Sequence, residues 1–197
     1  MTNEVKQAAT FVRRKINWFS VTKNQSDVNA ALAKLRRGIG RTPGSMPEIW
    51  EWTLDGLPEG FQSEDGIPTK EEWAVHTALT LYALHQQGKD PLSKSMDRTG
   101  MTLGRAVRAL IEGSEDEKRI KRRFDALATS SGIEEFSYHL RGMVQLLKGK
   151  DIQIDYSQLT EDLFWFQIPE KRDSLRLTWG QDYYSSKSRK ERANEEQ

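Results

Sequence analysis

Arginines beside a glycine-rich turn are the residues of this chain whose type and spacing best suit a functional role. They lie in residues 34–50, which read KLRRGIGRTPGSMPEIW. A helical run ends at Arg36 and Arg37, and Arg41 follows after two glycines. Residues 34–47 contain four basic side chains and no acidic one. A guanidinium group binds anions through several fixed donors, so the loop suits an anionic partner. The alternative is a solvated helix end whose cations complement the helix dipole.

Further basic segments follow along the chain. Residues 89–108 carry five cations against two aspartates, a net charge of +3; the cations are Lys89, Lys94, Arg98, Arg105 and Arg108. Residues 118–123 read KRIKRR, five cations in six residues, and include Arg119 and Arg122. Acidic residues just before this segment offer an alternative, because pairs within a helix can neutralise it. Arg141 and Lys148 line up along one flank of a later helix.

The residues needed for catalysis or metal binding do not form a recognisable pattern. The chain has three histidines and no cysteine, which excludes a cysteine nucleophile and thiolate zinc sites. His76 and His85 are nine residues apart, the wrong spacing for a helical metal pair. The segment GIGRTPG lacks the order of a phosphate-binding loop and has no strand before it. We therefore predict no enzyme, no metal and no cofactor.

Composition narrows the class of protein. The 197 residues include 30 Lys and Arg against 29 Asp and Glu, a net charge of +1, so binding to a polyanion requires the cations to be gathered on one surface. No apolar run approaches the length of a membrane span. The first residues, MTNEVKQAATF, lack the features of a signal peptide. Absence of cysteine fits a reducing compartment, and we expect a cytoplasmic protein.

Every strong apolar period is helical, and the sequence predicts an all-α fold. Helices are predicted over 4–19, from Ser26 as N-cap to about 37, in a short segment after Pro47, and from the Thr69/Glu72 capping box to about 87. The last of these is apolar around much of its girth and is expected to be a buried central helix. Later helices are expected to begin at Thr102, Ser114 with Glu117, Ser131 with Glu134, Asp155 with Gln158, and Pro169.

These helices are expected to form two packed bundles. Gly113 marks the boundary between an N-terminal lobe, 1–112, and a C-terminal lobe, 113–185. The polar segment 186–197 is predicted to be a disordered tail. Most tryptophans, including Trp73, Trp165 and Trp179, fall in apolar helical patterns and are predicted to be core.

The chain also resembles a known family through five segments in order. They read ALAKLRRGIGRTPGSMPEIW, TGMTLGRAVRAL, EKRIKRRFDALATSS, YHLRGMVQLLKGKDIQIDY and LRLTWGQDYY, spanning roughly residues 11–184. This combination resembles CasB, the small subunit of Cascade, the type I-E CRISPR surveillance complex. The resemblance implies an all-helical, non-catalytic protein of two bundles, present in two copies that contact the backbone and large subunits. It also implies a basic surface that stabilises the guide RNA (crRNA), the target DNA and the displaced single strand.

The resemblance and the charge pattern together nominate ten nucleic-acid-binding residues. Those implied by the resemblance are Arg36, Arg37, Arg105, Arg119 and Arg141. The charge pattern adds Arg41, Lys94, Arg98, Arg108 and Arg122. Pro47, Trp50 and Trp52 are expected to hold the arginine-bearing loop in place. Our leading hypothesis is sequence-independent binding of nucleic acid; the alternatives are a helical scaffold that binds only protein, and an unrecognised enzyme.

Overall fold

The computed structural model describes residues 2–195, and within this range it describes no side chain at residue 2, residue 115 or 186–195. The regular elements are helical, as predicted. They are α1 (Thr2–Val21), α2 (Gln25–Arg37), a 3-10 turn (Pro47–Ile49), α3 (Trp50–Thr53), a second 3-10 turn (Glu59–Phe61), α4 (Lys70–Gln86), α5 (Leu103–Ala109), α6 (Ser114–Ala128), α7 (Ile133–Gly149), α8 (Tyr156–Phe166) and α9 (Pro169–Glu195). A parallel bridge joins Asp97 to Ile154. The all-α prediction is confirmed.

Helix α4 is the centre of the fold, as its apolar pattern predicted. It packs against α1, α2, α7 and α8, and nearly all of its side chains are buried, including His76, Thr77, Thr80 and His85. A helix that is apolar on all sides must be covered on all sides. The amphipathic helices around it supply that cover, and α7 is held there with one flank facing solvent.

Stacked aromatic rings join α7, α8 and α9. Phe136 of α7 packs against both Phe166 and Trp179, with ring centroids 4.3 and 5.6 Å away. The buried indole of Trp179 donates a hydrogen bond from Nε1 to Asp162 Oδ2 at 2.7 Å. Trp179 is therefore core, as predicted.

The other two tryptophans predicted to be core are less enclosed. Trp165 is half-buried and packs against the edge of the core. Trp73 is also only half-buried, and its prediction as core is wrong, because α4 exposes one edge of this ring at a groove. The apolar pattern of each helix does not by itself determine how far these rings are enclosed by neighbouring elements.

Several predicted helix caps are confirmed and others are displaced. Thr69 and Glu72 form the complete capping box, and Thr102 and Asp155 cap α5 and α8. Three other N-caps were predicted wrongly. The observed N-caps are Asn24 instead of Ser26, Gly113 instead of Ser114, and Gly132 instead of Ser131. Ser131 instead uses its N–H and hydroxyl to bind Glu135, which replaces the predicted pairing with Glu134.

Helices from both sides of residue 113 pack on each other. Helix α8 lies against α1 and α4, and α5 lies against α9. The lobe boundary stays a prediction. The backbone of α9 continues to Glu195, but the side chains of the predicted tail lie outside the described residues, so its disorder also stays a prediction. Among the described residues, no helix combines the length and apolar character needed to cross a membrane.

Candidate nucleic-acid interface

The loop after α2, residues 38–44, presents Arg41 and packs closely on α4. A Cβ atom at Gly38 would lie only 2.8 Å from Ile49 Cδ1 and 3.0 Å from Thr80 Cγ2, so glycine permits this close approach. The Nε2 atom of His76, on α4, lies 2.9 Å from the carbonyl oxygen of Gly38. Burial lowers the pKa of His76, so the neutral ring donates to that carbonyl. The loop is thereby fastened to the central helix.

The far end of the loop is held by the residues expected to anchor it. The Trp50 indole donates from Nε1 to the Gly44 carbonyl at 2.8 Å. Trp52 is buried against Phe19 at 4.8 Å between ring centroids. Pro47 begins the 3-10 turn that leads to both tryptophans. The bond of Trp50 confirms that residue as an anchor of the loop. Trp52 packs against α1, and its part in holding the loop stays a prediction.

A groove runs between this loop and α7. Its volume is about 220 Å³, and it is lined by Ile39, Gly40, Thr42, Trp73, Glu134, Ser137, Tyr138 and Arg141. Arg41 lines an adjoining depression that shares Ile39, Gly40, Trp73 and Ser137 with the groove. Arg41 and Arg141, distant in sequence, therefore lie beside adjoining depressions that share four lining residues. Both are exposed, and neither makes an ion pair within the described part of the chain.

A third arginine lies on the other side of α7. Arg123 of α6 lines a second depression together with Tyr138, His139, Arg141, Gly142, Met143 and Gln145. It is exposed and lacks an ion pair among the described side chains. Arg123 was not among the predicted binding residues. Its position depends on α6 packing against α7, which the KRIKRR pattern alone does not reveal.

The C-terminal end of α7 carries further cations. Burial lowers the pKa of Lys148, and the neighbouring charges of Lys89 and Arg36 lower it further. Burial also lowers the pKa of Arg36. Lys148 donates to Gln87 Oε1 at 2.8 Å, while Lys89 is neutralised by Asp151 at 3.0 Å. Arg36 and Lys148 thus form a cationic pair without a carboxylate partner in the described residues.

These cations form one basic band, which we define as Arg36, Arg41, Arg123, Arg141 and Lys148. Arg141 and Lys148 are seven residues apart, a rise of about 10 Å along α7. The phosphates of one strand are spaced 3.4 Å or so along a duplex axis, so these two cations are far enough apart to contact different phosphates. Glu134 is the acidic side chain at the groove. The band can therefore follow a phosphate backbone along this flank of the molecule.

Five of the predicted residues lie away from the groove, four of them in local ion pairs and one half-buried. Arg37 pairs with Glu48 at 2.9 Å, and Arg119 with Asp116 at 2.7 Å. Lys94 pairs with Asp151 at 2.6 Å. Arg105 pairs with Asp182 at 3.3 Å and donates to the Gly100 carbonyl at 3.1 Å. Arg108 is the fifth. Arg108 was predicted to project from a polar face but is half-buried, because α9 covers that side of α5. Its Nε and Nη1 atoms are enclosed and make no hydrogen bond within the described residues.

Arg98 and Arg122 occupy a third kind of position. Both are exposed and make no ion pair among the described side chains. Neither lines the groove or the second depression beside α7. Of the ten predicted residues, three belong to the basic band: Arg41 and Arg141 line the depressions beside α7, and Arg36 lies near Lys148.

The histidines have structural surroundings. Burial lowers the pKa of His85 to about 4, and its Nδ1 lies 2.9 Å from the Tyr156 hydroxyl. His139 lies 3.8 Å from Glu135 on the same helix. In the part of the chain that the structure describes, no three His, Cys, Asp or Glu side chains are grouped so as to hold a metal ion.

Comparison with known proteins relates this fold to one family. Residues 31–184 match the family model of the CRISPR-associated protein Cse2. The crystal structure of CasB from Thermobifida fusca is 29% identical, with a TM-score of 0.74, over 90% of this chain and 97% of that chain. A Cse2-family protein from Thermus thermophilus (24% identity, TM-score 0.66, 88% and 97% coverage) and CasB from M. ruber (23%, 0.68, 93% and 97%) share the fold. No curated protein matches the chain. The family match over most of the sequence, in a chain with this helical fold, shows that the protein belongs to the Cse2 (CasB) family of CRISPR-associated proteins.

Proposed function

We propose that this protein is a non-catalytic subunit of the type I-E CRISPR Cascade complex that holds nucleic-acid backbones through the basic band. The observation that carries the proposal is the convergence of five cations without carboxylate partners among the described side chains, in a chain whose net charge is only +1. They come from three separate parts of the sequence: α2 with its following loop, α6 and α7. Local ion pairs neutralise several of the other cations, among them Arg37, Lys94 and Arg119.

Sequence-independent binding is the chemistry that such a surface supplies. Guanidinium and ammonium groups contact phosphates, which carry no base identity. In an RNA-guided complex, pairing between guide and target selects the sequence, so an accessory subunit needs only to hold backbones. R-loop formation is nearly balanced in free energy, and a few phosphate contacts are enough to favour it. The proposed ligands are the crRNA, the target DNA and the displaced strand.

Salt dependence of binding tests the proposal. Fluorescence anisotropy with labelled single- and double-stranded DNA would compare the wild type with an Arg41→Ala/Arg141→Ala variant. Each lost phosphate contact is expected to reduce the slope of log K against log salt by about one unit, alike for all sequences. A Lys6→Ala/Lys23→Ala variant is the matched control, because it removes two exposed cations that lie outside the groove.

The two double variants have the same net charge, so their comparison separates local contacts from overall attraction. We expect the control to keep the wild-type slope. Equal slopes for both variants would refute the assignment of Arg41 and Arg141. Absence of salt-dependent binding in the wild type would refute nucleic-acid binding by the isolated protein.

A protein-only scaffold is the second candidate, and a separate surface favours it. Trp18 and Val21 of α1 are exposed beside Trp52, in a depression edged by Lys15 and Asp55. Exposed apolar side chains rimmed by charges are typical of protein contacts. This surface suits the proposed contacts with the backbone subunits, the large subunit or a second copy of the chain. A scaffold alone predicts co-purification with those subunits and no retention of nucleic acid at low salt.

A further inference from the structure

Tyr138 is the most exposed large apolar side chain of the described residues. Its relative exposure is 74%, and its hydroxyl makes no hydrogen bond within the described part of the chain. An aromatic ring left this open on a helix has no role in packing the core. Tyr138 instead lies beside Arg141 of the basic band and lines both of the depressions that flank α7.

The positions of the neighbouring arginines define how a ligand would meet this ring. Tyr138 and Arg141 line both the groove next to the 38–44 loop and the depression that contains Arg123. Tyr138 therefore stands on the ridge between them. A strand that runs from Arg41 across α7 to Arg123 has to pass over this ridge, with phosphates close to the arginines and a base close to the ring.

Stacking of a base on an aromatic ring requires a base that is free of its own stack. Each such contact stabilises single-strand binding by about 1–3 kcal/mol and tolerates any base. In a duplex the bases are already stacked and turned inward, so they cannot cover an exposed ring. An aromatic residue among unpaired arginines consequently favours a single strand over a duplex.

We infer that Tyr138 stacks on an unpaired base and that the basic band takes a single strand of nucleic acid. This inference rests on the proposed function and adds to it the form of the ligand and the residue that selects it. Arg41, Arg123 and Arg141 hold the phosphates on either side of the ridge. The ring of Tyr138 supplies the contact that an intact duplex lacks.

The test uses the full-length chain and three DNA probes of equal length: an oligodeoxyadenylate, the same backbone with abasic sites, and a duplex. Anisotropy titrations compare the wild type with Tyr138→Ala, with Tyr138→Phe, and with Leu177→Ala as a control. Leu177 is 62% exposed on α9 and lines neither depression. Thermal denaturation checks that all variants fold.

We expect Tyr138→Ala to weaken binding of the oligodeoxyadenylate by about 5- to 150-fold, the equivalent of one lost stacking contact. Binding of the abasic probe and the duplex should change little, and the salt slope should stay that of the wild type. Tyr138→Phe and Leu177→Ala should bind like the wild type. A ribonucleotide probe of the same base should show the same loss, because stacking does not involve the sugar.

Three results would overturn the inference. One is unchanged binding of the oligodeoxyadenylate by Tyr138→Ala, with salt-dependent binding intact; the proposed function then survives without a stacking role. Another is an equal loss for the abasic and base-bearing probes. The third is absence of salt-dependent binding of every probe by the wild type, which would remove the proposed function together with the inference.

Discussion

Replacement of Asp162 by asparagine is expected to change how the stability of this protein depends on pH. Asp162 is buried in α8 and accepts hydrogen bonds from Trp179 Nε1 at 2.7 Å and from Gln158 Nε2 at 3.1 Å. Trp179 stacks on Phe136 of α7, so the carboxyl supports the helix that carries Arg141. Asparagine keeps an oxygen for the indole and removes the charge.

The expected magnitude follows from the pKa of the buried carboxyl. Burial raises the pKa of Asp162 from 3.8 to about 6, against the lowering effect of its two hydrogen bonds, and the charges of Glu161 and Asp182 contribute to the rise. One pKa unit is worth about 1.36 kcal/mol. The ionised group therefore costs the folded state about 3 kcal/mol.

The sign follows from which state holds the proton. Below pH 3.8 or so the carboxyl is protonated in both states and costs nothing. As the pH rises towards about 6, the unfolded chain releases its proton first, so the free energy of unfolding falls. The full cost is present above that pH. Asp162→Asn removes this cost, and its stability relative to the wild type should rise by about 3 kcal/mol from acidic to neutral pH.

Urea denaturation of both proteins across this pH range measures the difference. Asp173→Asn is the control, because that side chain is 94% exposed and its ion pair with Arg176 lies on the surface. The control should stay within about 0.5 kcal/mol of the wild type at every pH. The reasoning is refuted if the difference between Asp162→Asn and the wild type does not vary with pH.

Two further pairs of substitutions test how backbone contacts shape the fold. Gly104→Ala would place a Cβ in collision with the Trp179 carbonyl oxygen and force α5 away from α9, so we expect it to lower the free energy of unfolding by about 1–3 kcal/mol. Gly142→Ala in α7, where no atom lies within 4 Å of the new Cβ, should instead raise it by about 0.5–1 kcal/mol; an equal effect of both in urea denaturation would contradict the close contact. Gly40→Ala should cost about 1–2 kcal/mol, because φ there is +73°. Gly60→Ala, which has open space and no positive φ, should cost less, and thermal denaturation that ranks the two in the other order would contradict the loop conformation.

Local patterns were enough to predict the fold class and several of its details. The apolar residues around much of the circumference of α4 predicted its central position. The Thr69/Glu72 pair predicted a capping box that the structure contains. The expectation that Trp50 holds the arginine loop is met by its bond to Gly44. These features depend on residues close together in sequence, whose geometry a helix or a turn determines.

Convergence of the cations could not be predicted in the same way. Arg123 and Arg141 become neighbours because α6 and α7 pack together, and Arg41 approaches Arg141 because the 38–44 loop is fastened to α4. Conversely, the KRIKRR segment is partly neutralised by Asp116, one of the preceding acidic residues that the alternative interpretation invoked. Asp125, which follows the segment and was not part of that interpretation, pairs with Lys121. Charge density along the sequence therefore did not identify which cations are free of partners.

Photo-crosslinking in the assembled complex tests the central claim most directly. A photoreactive amino acid at Gln145 would stand on the exposed flank of α7, between Arg141 and Lys148. The same group at Ser174, exposed on α9, is the control. We predict a nuclease-sensitive crosslink to DNA or RNA from position 145 and none from position 174. A crosslink from position 145 only to another protein subunit would contradict the claim that the basic band holds nucleic acid.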